Sequence, residues 1–224
     1  YIKIKNILIE KGYSFINNSD TEVLINAYIE WGIDFVSKIN GMFAIALWDK
    51  NKKEFYLIRD RLGIKPIYYT RIQDTIFFAS ELKAIISNKL FQKKINFNAL
   101  SDFFHNRYIL ESDCIFENVK KVNPGSYIII NQSETNIFNY WKLNRKKNIE
   151  YENENFEDIF RTIISNHLVA DVPVGSFLSS GIDSTLVTLI AQQESDKKID
   201  TFTIGFDDKK YNEAHISKKI AEYI

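Results

Sequence analysis

Apolar residues recur along the chain in two rhythms, one of helices and one of strands. From Ile2 to Lys11 isoleucine and leucine return every three or four positions, which predicts a helix stopped by Gly12. Ser19, Asp20, Thr21 and Glu22 form a capping-box pattern ahead of a second helix. That helix carries Val23, Leu24, Ala27, Tyr28 and Trp31 on one face and ends at Gly32. The apolar runs Met42 to Trp48 and Phe55 to Ile58, joined by the polar turn Asp49 to Lys53, predict an antiparallel hairpin. Ile67 to Tyr69 and Thr75 to Phe78 read as further strands, and Glu81 to Ile86 and Leu100 to His105 as short helices. Pro124 and Gly125 mark a turn before the strand Tyr127 to Ile130.

The stretch from Asn144 to Asn155 is rich in Lys, Asn and Glu and is the natural linker. Beyond it the order of elements changes. Phe156, Ile159, Phe160, Ile163, Ile164, His167 and Leu168 fall at helical spacing, which places His167 on the apolar face as a core histidine. A short strand, Val174 to Leu178, runs into a small polar loop and a helix from about Asp183 to Gln192. A strand from Thr201 to Ile204 and a helix starting near Asn212 follow. Helix, strand, helix, strand, helix is the order of a parallel α/β sheet. The chain thus divides at about 145/146 into an antiparallel α+β part and the start of a doubly wound α/β part. It opens at Tyr1 and closes at Ile224, each inside a helical pattern, which predicts a piece of a longer protein.

Composition narrows the picture further. Lys and Arg balance Asp and Glu at 29 each, so the footprint of a nucleic-acid binder is missing. No apolar run approaches the roughly 20 residues of a membrane span. The single cysteine, Cys114, excludes an internal disulfide and points to a reducing, cytoplasmic compartment. Nothing in the sequence sets a base beside Cys114, which reads as a loop or packing residue. The three histidines have no metal-ligand spacing, and His105 and His215 read as surface residues.

The loop Leu178-Ser-Ser-Gly-Ile-Asp-Ser184 carries the candidate chemistry. Small residues between a strand and a helix let backbone N–H groups approach an anion, and the helix start adds unpaired donors and a positive dipole end. Ser179, Ser180 and Ser184 add hydroxyls, and Asp183 tolerates phosphate only with an intervening cation such as Mg²⁺. Alone, the segment reads equally as a serine-capped helix after a buried strand. It has neither the GxxxxGK[ST] pattern of P-loop NTPases nor a GxGxxG dinucleotide loop.

The loop is similar to the Ser-Gly-Gly-x-Asp-Ser signature of the ATP pyrophosphatase family, with Ser180 in place of its first glycine. If that position needs a positive φ, the serine is strained. Other blocks extend the resemblance. Asn40-Gly-Met-Phe-Ala-Ile-Ala-Leu-Trp-Asp49, Arg59-Asp-Arg-Leu-Gly-Ile-Lys-Pro-Ile-Tyr68 and Phe78-Ala-Ser-Glu-Leu-Lys-Ala-Ile85 resemble class II glutamine amidotransferase domains. Ser19-Asp20 before the helix fits the same pattern. His167-Leu-Val-Ala-Asp-Val-Pro-Val-Gly175, Thr201-Phe-Thr-Ile-Gly-Phe206 and Tyr211-Asn-Glu-Ala214 complete a resemblance to the glutamine-hydrolysing asparagine synthetase family over nearly the whole chain.

The resemblance implies part of an N-terminal-nucleophile αββα glutaminase domain over residues 1–145, then the start of an ATP pyrophosphatase-type synthetase domain over 146–224. It implies ATP and Mg²⁺ as cofactors and glutamine, aspartate and ATP as small-molecule partners, without nucleic acid or membrane, and it is compatible with a homodimer. Leu178, Ser179, Ser180, Gly181 and Ser184 would line the ATP and pyrophosphate site, and Asp183 would hold Mg²⁺–pyrophosphate. Ile204 would touch adenine, a role compatible with core packing. Asp20 would bind the α-amino group of glutamine, against the simpler reading in which Asp20 or Ser19 only caps the helix. The family's glutaminase nucleophile is an N-terminal cysteine, which Tyr1 is not, so no catalytic residue is assigned and the 224 residues alone are expected to be inactive. Amidotransferases acting on sugar acids or β-amino acids, or a non-catalytic nucleotide-binding relative, are the alternatives.

Overall fold

In a computed structural model the structure describes residues 1–131, 134–143 and 155–224, which fall into two compact units, Tyr1–Arg145 and Lys146–Ile224. The linker expected over 144–155 lies outside the described residues apart from Asn155.

The first unit opens with α1 (Ile2–Glu10) and α2 (Asp20–Trp31). The stop at Gly12 is a Schellman motif: Tyr13 N–H donates to Leu8 C=O at 3.0 Å and Gly12 N–H to Ile9 C=O at 2.9 Å. The start of α2 departs from the expected capping box. Ser19 Oγ does accept a backbone N–H, from Thr21 at 3.2 Å. Glu22, however, reaches past the cap to the N–H groups of Ile16 and Asn17, at 2.9 and 2.7 Å, and these hold its carboxyl below the usual range. A short 3₁₀ turn, Gly32–Asp34, leads into α3 (Phe35–Lys38), which the apolar pattern had not marked.

The predicted hairpin is β1 (Ala44–Asp49) and β2 (Glu54–Arg59), with Asp49 Oδ1 accepting the N–H groups of Asn51 and Lys52 in the turn. Then come β3 (Tyr68–Ile72), β4 (Thr75–Ala79), α4 (Leu82–Ile86), α5 (Phe97–Asn106), β5 (Val119–Lys121), β6 (Ser126–Ile130) and β7 (Thr135–Asn139). Two antiparallel sheets result, ordered β1-β2-β6-β7 and β4-β3-β5. The strands β5 and β7 were not anticipated. The first has three residues, and the second is an edge strand exposed along its length, so neither shows an alternation of buried and polar positions.

Alternation along the central strands builds the layers. Tyr56 and Ile58 of β2, with Tyr127 and Ile129 of β6, face a core made with Ile4, Leu8, Val23, Ala27, Phe35 and Val36 of the three helices. Leu57, Ile128 and Ile130 point the other way and meet Ile67, Tyr69 and Ile76 at the second sheet. On that sheet's outer face Tyr68 and Val119 pack with Leu82 and Ile85 of α4 and with Cys114. Helix, sheet, sheet, helix is the αββα order. The unbroken apolar run of β2 follows from burial on both faces.

Between β2 and β3 lies the Arg59-Asp60 turn, the most heavily bonded polar feature of this unit. Asp60 is 1% exposed, and its carboxylate accepts four backbone N–H groups: Phe43 (3.2 Å), Leu62 (3.2 Å), Ile64 (2.9 Å) and Lys65 (2.9 Å). Arg59, 3% exposed, donates to the carbonyls of Gly63, Lys65 and Val122 and to Glu111 at 2.7 Å. Gly63 has φ +66°, and a Cβ there would lie 2.9 Å from the Arg59 guanidinium carbon. Gly125, φ +62°, donates to Asp60 C=O at 2.8 Å and leaves 2.7 Å between its missing Cβ and Trp141 C=O.

The second unit contains α6 (Phe156–His167), β8 (Gly175–Phe177), α7 (Ile182–Gln193), β9 (Asp200–Phe202) and α8 (Ala214–Tyr223). Strands β8 and β9 are parallel, as the α/β order requires. Ile164, Ile190 and Ala191 form its core with Phe160, Leu168 and Ile199. Ser176 Oγ and Thr188 Oγ1, 2.8 Å apart, tie β8 to α7, and Arg161 bridges Glu157 and Glu194 across α6 and α7. His167 corrects an expectation. It is exposed, with Nδ1 2.7 Å from Ile163 C=O, because only Ile164 of its helical face is fully buried.

Removing the Asp60 carboxylate leaves four partly buried backbone N–H groups without their acceptor. Asp60→Ala is expected to destabilise the first unit by roughly 3–5 kcal/mol, and Asp60→Asn by less, because one amide oxygen still accepts. Urea unfolding followed by tyrosine and tryptophan fluorescence measures this. A midpoint within error of the wild type for Asp60→Ala would show that the turn is held by other means.

Candidate functional site

The loop that carries the candidate chemistry is built from both of its ends. At its start Leu178 is 2% exposed, its N–H extends the parallel ladder to Phe202 C=O at 2.9 Å, and its C=O accepts Thr203 Oγ1 at 2.7 Å. At its end α7 begins at Ile182, with Gly181 as N-cap. Gly181 has no side chain to cap with, so the helix's first donors are left for other acceptors.

Between these anchors the hydroxyls organise the backbone. Ser184 Oγ accepts the Ser179 N–H at 3.2 Å and lies 2.8 Å from Ser179 Oγ. Ser179 Oγ accepts the Gly181 N–H at 3.2 Å, and Thr185 Oγ1 donates to Gly181 C=O at 2.8 Å. The sequence reading treated the serine hydroxyls as free donors; the structure gives Ser179 and Ser184 to the loop's own shape. Ser180 departs less from its family than anticipated. It has no positive φ, so serine in place of glycine brings no backbone strain.

Asp183 lies in the first turn of α7, exposed, and makes no hydrogen bond or ion pair with the described residues. Among the described residues no three His, Cys, Asp or Glu side chains gather to hold a metal. One free carboxylate beside hydroxyl oxygens suits Mg²⁺, which typically takes one or two carboxylates and completes its shell with phosphate and water.

A cleft of about 460 Å³ opens beside the loop, lined by Leu178, Ser179, Ser184 and Ile204 together with Phe177, Phe202, Thr203, Phe206, Tyr211 and Glu213. Ile204 corrects a second expectation. It follows β9 rather than belonging to it and is 71% exposed, so it does not pack in the core of this unit. Sequence reasoning overlooked the aromatic walls and Glu213. The walls come from alternate positions, Phe177 on β8 and Phe202 on β9, which are neighbours only once the strands pair. Glu213 lies 33 residues from Ser180, yet its Oε2 accepts both the Ser180 N–H at 3.1 Å and the Ser180 hydroxyl at 2.8 Å. Those bonds, the hydroxyl's first, hold the Glu213 carboxyl below its usual range.

In the first unit Asp20 is the first residue of α2 and is exposed; Ser19, not Asp20, is the cap. Of the two capping candidates, Ser19 is the one that caps. Cys114 is 2% exposed in the third core, and burial pushes its thiol up from the usual value.

Comparison with known proteins follows the same division. Residues 1–141 match the glutamine amidotransferase domain, and residues 155–224 match the asparagine synthase domain. The chain belongs to the glutamine amidotransferase domain family. Among curated proteins, it is 37% identical to the glutamine-hydrolysing asparagine synthetase 1 of Bacillus subtilis, over 99% of this chain and 35% of that protein. A putative glutamine-hydrolysing asparagine synthetase 2 of Methanocaldococcus jannaschii is 34% identical over 92% of this chain and 41% of its own length. Amidase chry2 of Gibberella zeae is 35% identical over 78% of this chain and 27% of its own. Both successive domain matches and these relatives make the chain similar to glutamine-hydrolysing asparagine synthetases. The chain spans about a third of the length of the curated relatives it matches.

The burial of Cys114 makes a simple check. A thiol reagent should label it at least roughly a hundredfold more slowly in the folded protein than in urea, since only the exposed thiolate reacts. Equal rates in the two states would place Cys114 at the surface.

Proposed function

We propose that the full-length protein makes asparagine from aspartate, ATP and glutamine, releasing AMP, pyrophosphate and glutamate. The observation that carries this reading is the loop of the second unit, a small-residue strand-to-helix turn with an unpartnered Asp183, within a match to the asparagine synthase domain. ATP is the nucleotide that this family implies.

In the proposed reaction an oxygen of the aspartate side-chain carboxylate attacks the α-phosphorus of ATP. The new C–O–P bond replaces the bond to the β-phosphate, and pyrophosphate leaves. Ammonia from glutamine then attacks the acyl carbon, and AMP departs with the electron pair of the broken C–O bond. The task of this chain is to bind and orient. Leu178, fixed by burial and by Thr203, sets the height of the loop over the cleft. Ser179, Ser180, Gly181 and Ser184 form the small-residue turn that receives the departing pyrophosphate, its shape fixed by the bonds among Ser179, Gly181 and Ser184. Asp183 holds Mg²⁺, which when bound neutralises charge on that leaving group. Ile204, exposed on the cleft wall, offers an apolar surface for adenine. Asp20, exposed at the start of α2, pairs with the α-ammonium of glutamine. The single buried cysteine suits a cytoplasmic enzyme.

A second reading has a specific basis. The likeness to a protein named an amidase, rather than a synthetase, leaves room for an acceptor other than aspartate, with the same adenylation of a carboxylate.

Assay of the full-length protein for asparagine, AMP and pyrophosphate separates these readings. Aspartate-dependent AMP is expected; ADP as product, or turnover indifferent to aspartate, sinks the asparagine assignment. Asp183→Ala should lower synthesis by roughly 10²–10³-fold with either nitrogen source. Asp20→Ala should raise the KM for glutamine by about tenfold or more, a defect that free ammonia bypasses. If neither variant changes any rate, Asp183 and Asp20 do not have these roles; a wild type that binds ATP but forms no AMP is a nucleotide-binding relative without this chemistry.

A further inference from the structure

Glu213 stands at the N-cap of α8 but does not cap it. The Ala214 N–H goes to Asn212 Oδ1 at 3.1 Å, and the Glu213 side chain makes no bond to the helix. Its carboxylate reaches the loop instead, where one oxygen receives both the backbone and the hydroxyl donor of Ser180, at 3.1 and 2.8 Å. A backbone N–H and a hydroxyl converging on one anionic oxygen is the arrangement by which proteins hold a phosphoryl oxygen. The cleft that Glu213 lines contains no lysine or arginine among its described lining residues. Nothing there would reward a carboxylate for staying once a polyanion arrives, and the two anions would repel.

We propose that Glu213 is a resident stand-in for the ligand: it fills the Ser180 subsite of the loop and must withdraw before pyrophosphate can occupy it. The proposal rests on the reading of this loop as a pyrophosphate grip. It makes Glu213 a positioning residue that ties occupancy of the loop to the start of α8. It also gives the departure at Ser180 a consequence. A glycine at that place would offer only its N–H, whereas serine adds the shorter of the two bonds and holds the stand-in more firmly.

The test is calorimetric titration of magnesium pyrophosphate into the full-length protein and its variants. Because the stand-in competes with the ligand, Glu213→Ala should bind about tenfold more tightly than wild type, and Glu213→Gln should gain less, since a neutral amide oxygen still accepts. In a Ser180→Gly background the gain from Glu213→Ala should shrink to less than about threefold, because the two residues act through one contact. Wild-type binding with equal or weaker binding by Glu213→Ala overturns the stand-in but leaves the grip intact. Full additivity with Ser180→Gly overturns it as well. Absence of pyrophosphate binding in the wild type and every variant overturns both the stand-in and the grip.

Discussion

The first unit depends on a pair of buried charges that do not bond to each other. Arg59 and Asp60 are adjacent in sequence, at the end of β2, and their side chains serve opposite kinds of backbone group. Asp60 collects N–H groups from Phe43 and from its own turn, whereas Arg59 collects carbonyls from the turn and from Val122. Asp60 is therefore compensated by peptide dipoles, and Arg59 by carbonyls together with the Glu111 carboxylate, which is how such burial becomes tolerable. The backbone joins in: Gly125 donates to Asp60 C=O, and Tyr140 Oη donates to Arg59 C=O at 2.7 Å. Burial, with the nearby Asp60 charge adding to it, pushes the Tyr140 hydroxyl up to about 12, so it remains a donor at any ordinary pH. One dipeptide thus fixes the exit of the central strand, the turn towards the second sheet and the loop before β6.

The second unit solves a different problem. A strand-to-helix loop with no side-chain cap has more donors than its own backbone can use. Here the donors are shared among two hydroxyls, those of Ser179 and Ser184, and one carboxylate from a distant segment. Ser184 is central, because its oxygen receives the Ser179 N–H while donating within the same turn, and this sets the loop without a positive φ. Ser180 likewise has no positive φ, so serine brings no backbone strain there. Asp183 is left outside this network, exposed in the first turn of α7.

Much of this was readable before folding. Helices α1 and α2, the β1–β2 hairpin and the β-α-β order of the second unit follow from spacing and turn residues, because a half-buried element writes its period into the chain. Strands β5 and β7 did not, since one is too short and the other too exposed to carry a period. His167 and Ile204 misled for the same reason. Helical or strand spacing marks a face, but burial of that face depends on what packs against it. The serine loop and Asp183 were legible as local chemistry because a strand-loop-helix turn is a local event.

The sequence by itself determined the two-part division, the αββα and parallel α/β characters, the small-residue strand-to-helix loop and the family. These rest on composition, period and short motifs, all of which are local properties of the chain. Only the tertiary structure decided that Arg59 and Asp60 are a buried fastening rather than a charged turn. It alone brought Phe177 and Phe202 to one cleft wall and delivered Glu213 to Ser180 across 33 residues. Those are contacts between segments remote in sequence. Their partners are set by strand pairing and loop closure, which no local pattern encodes.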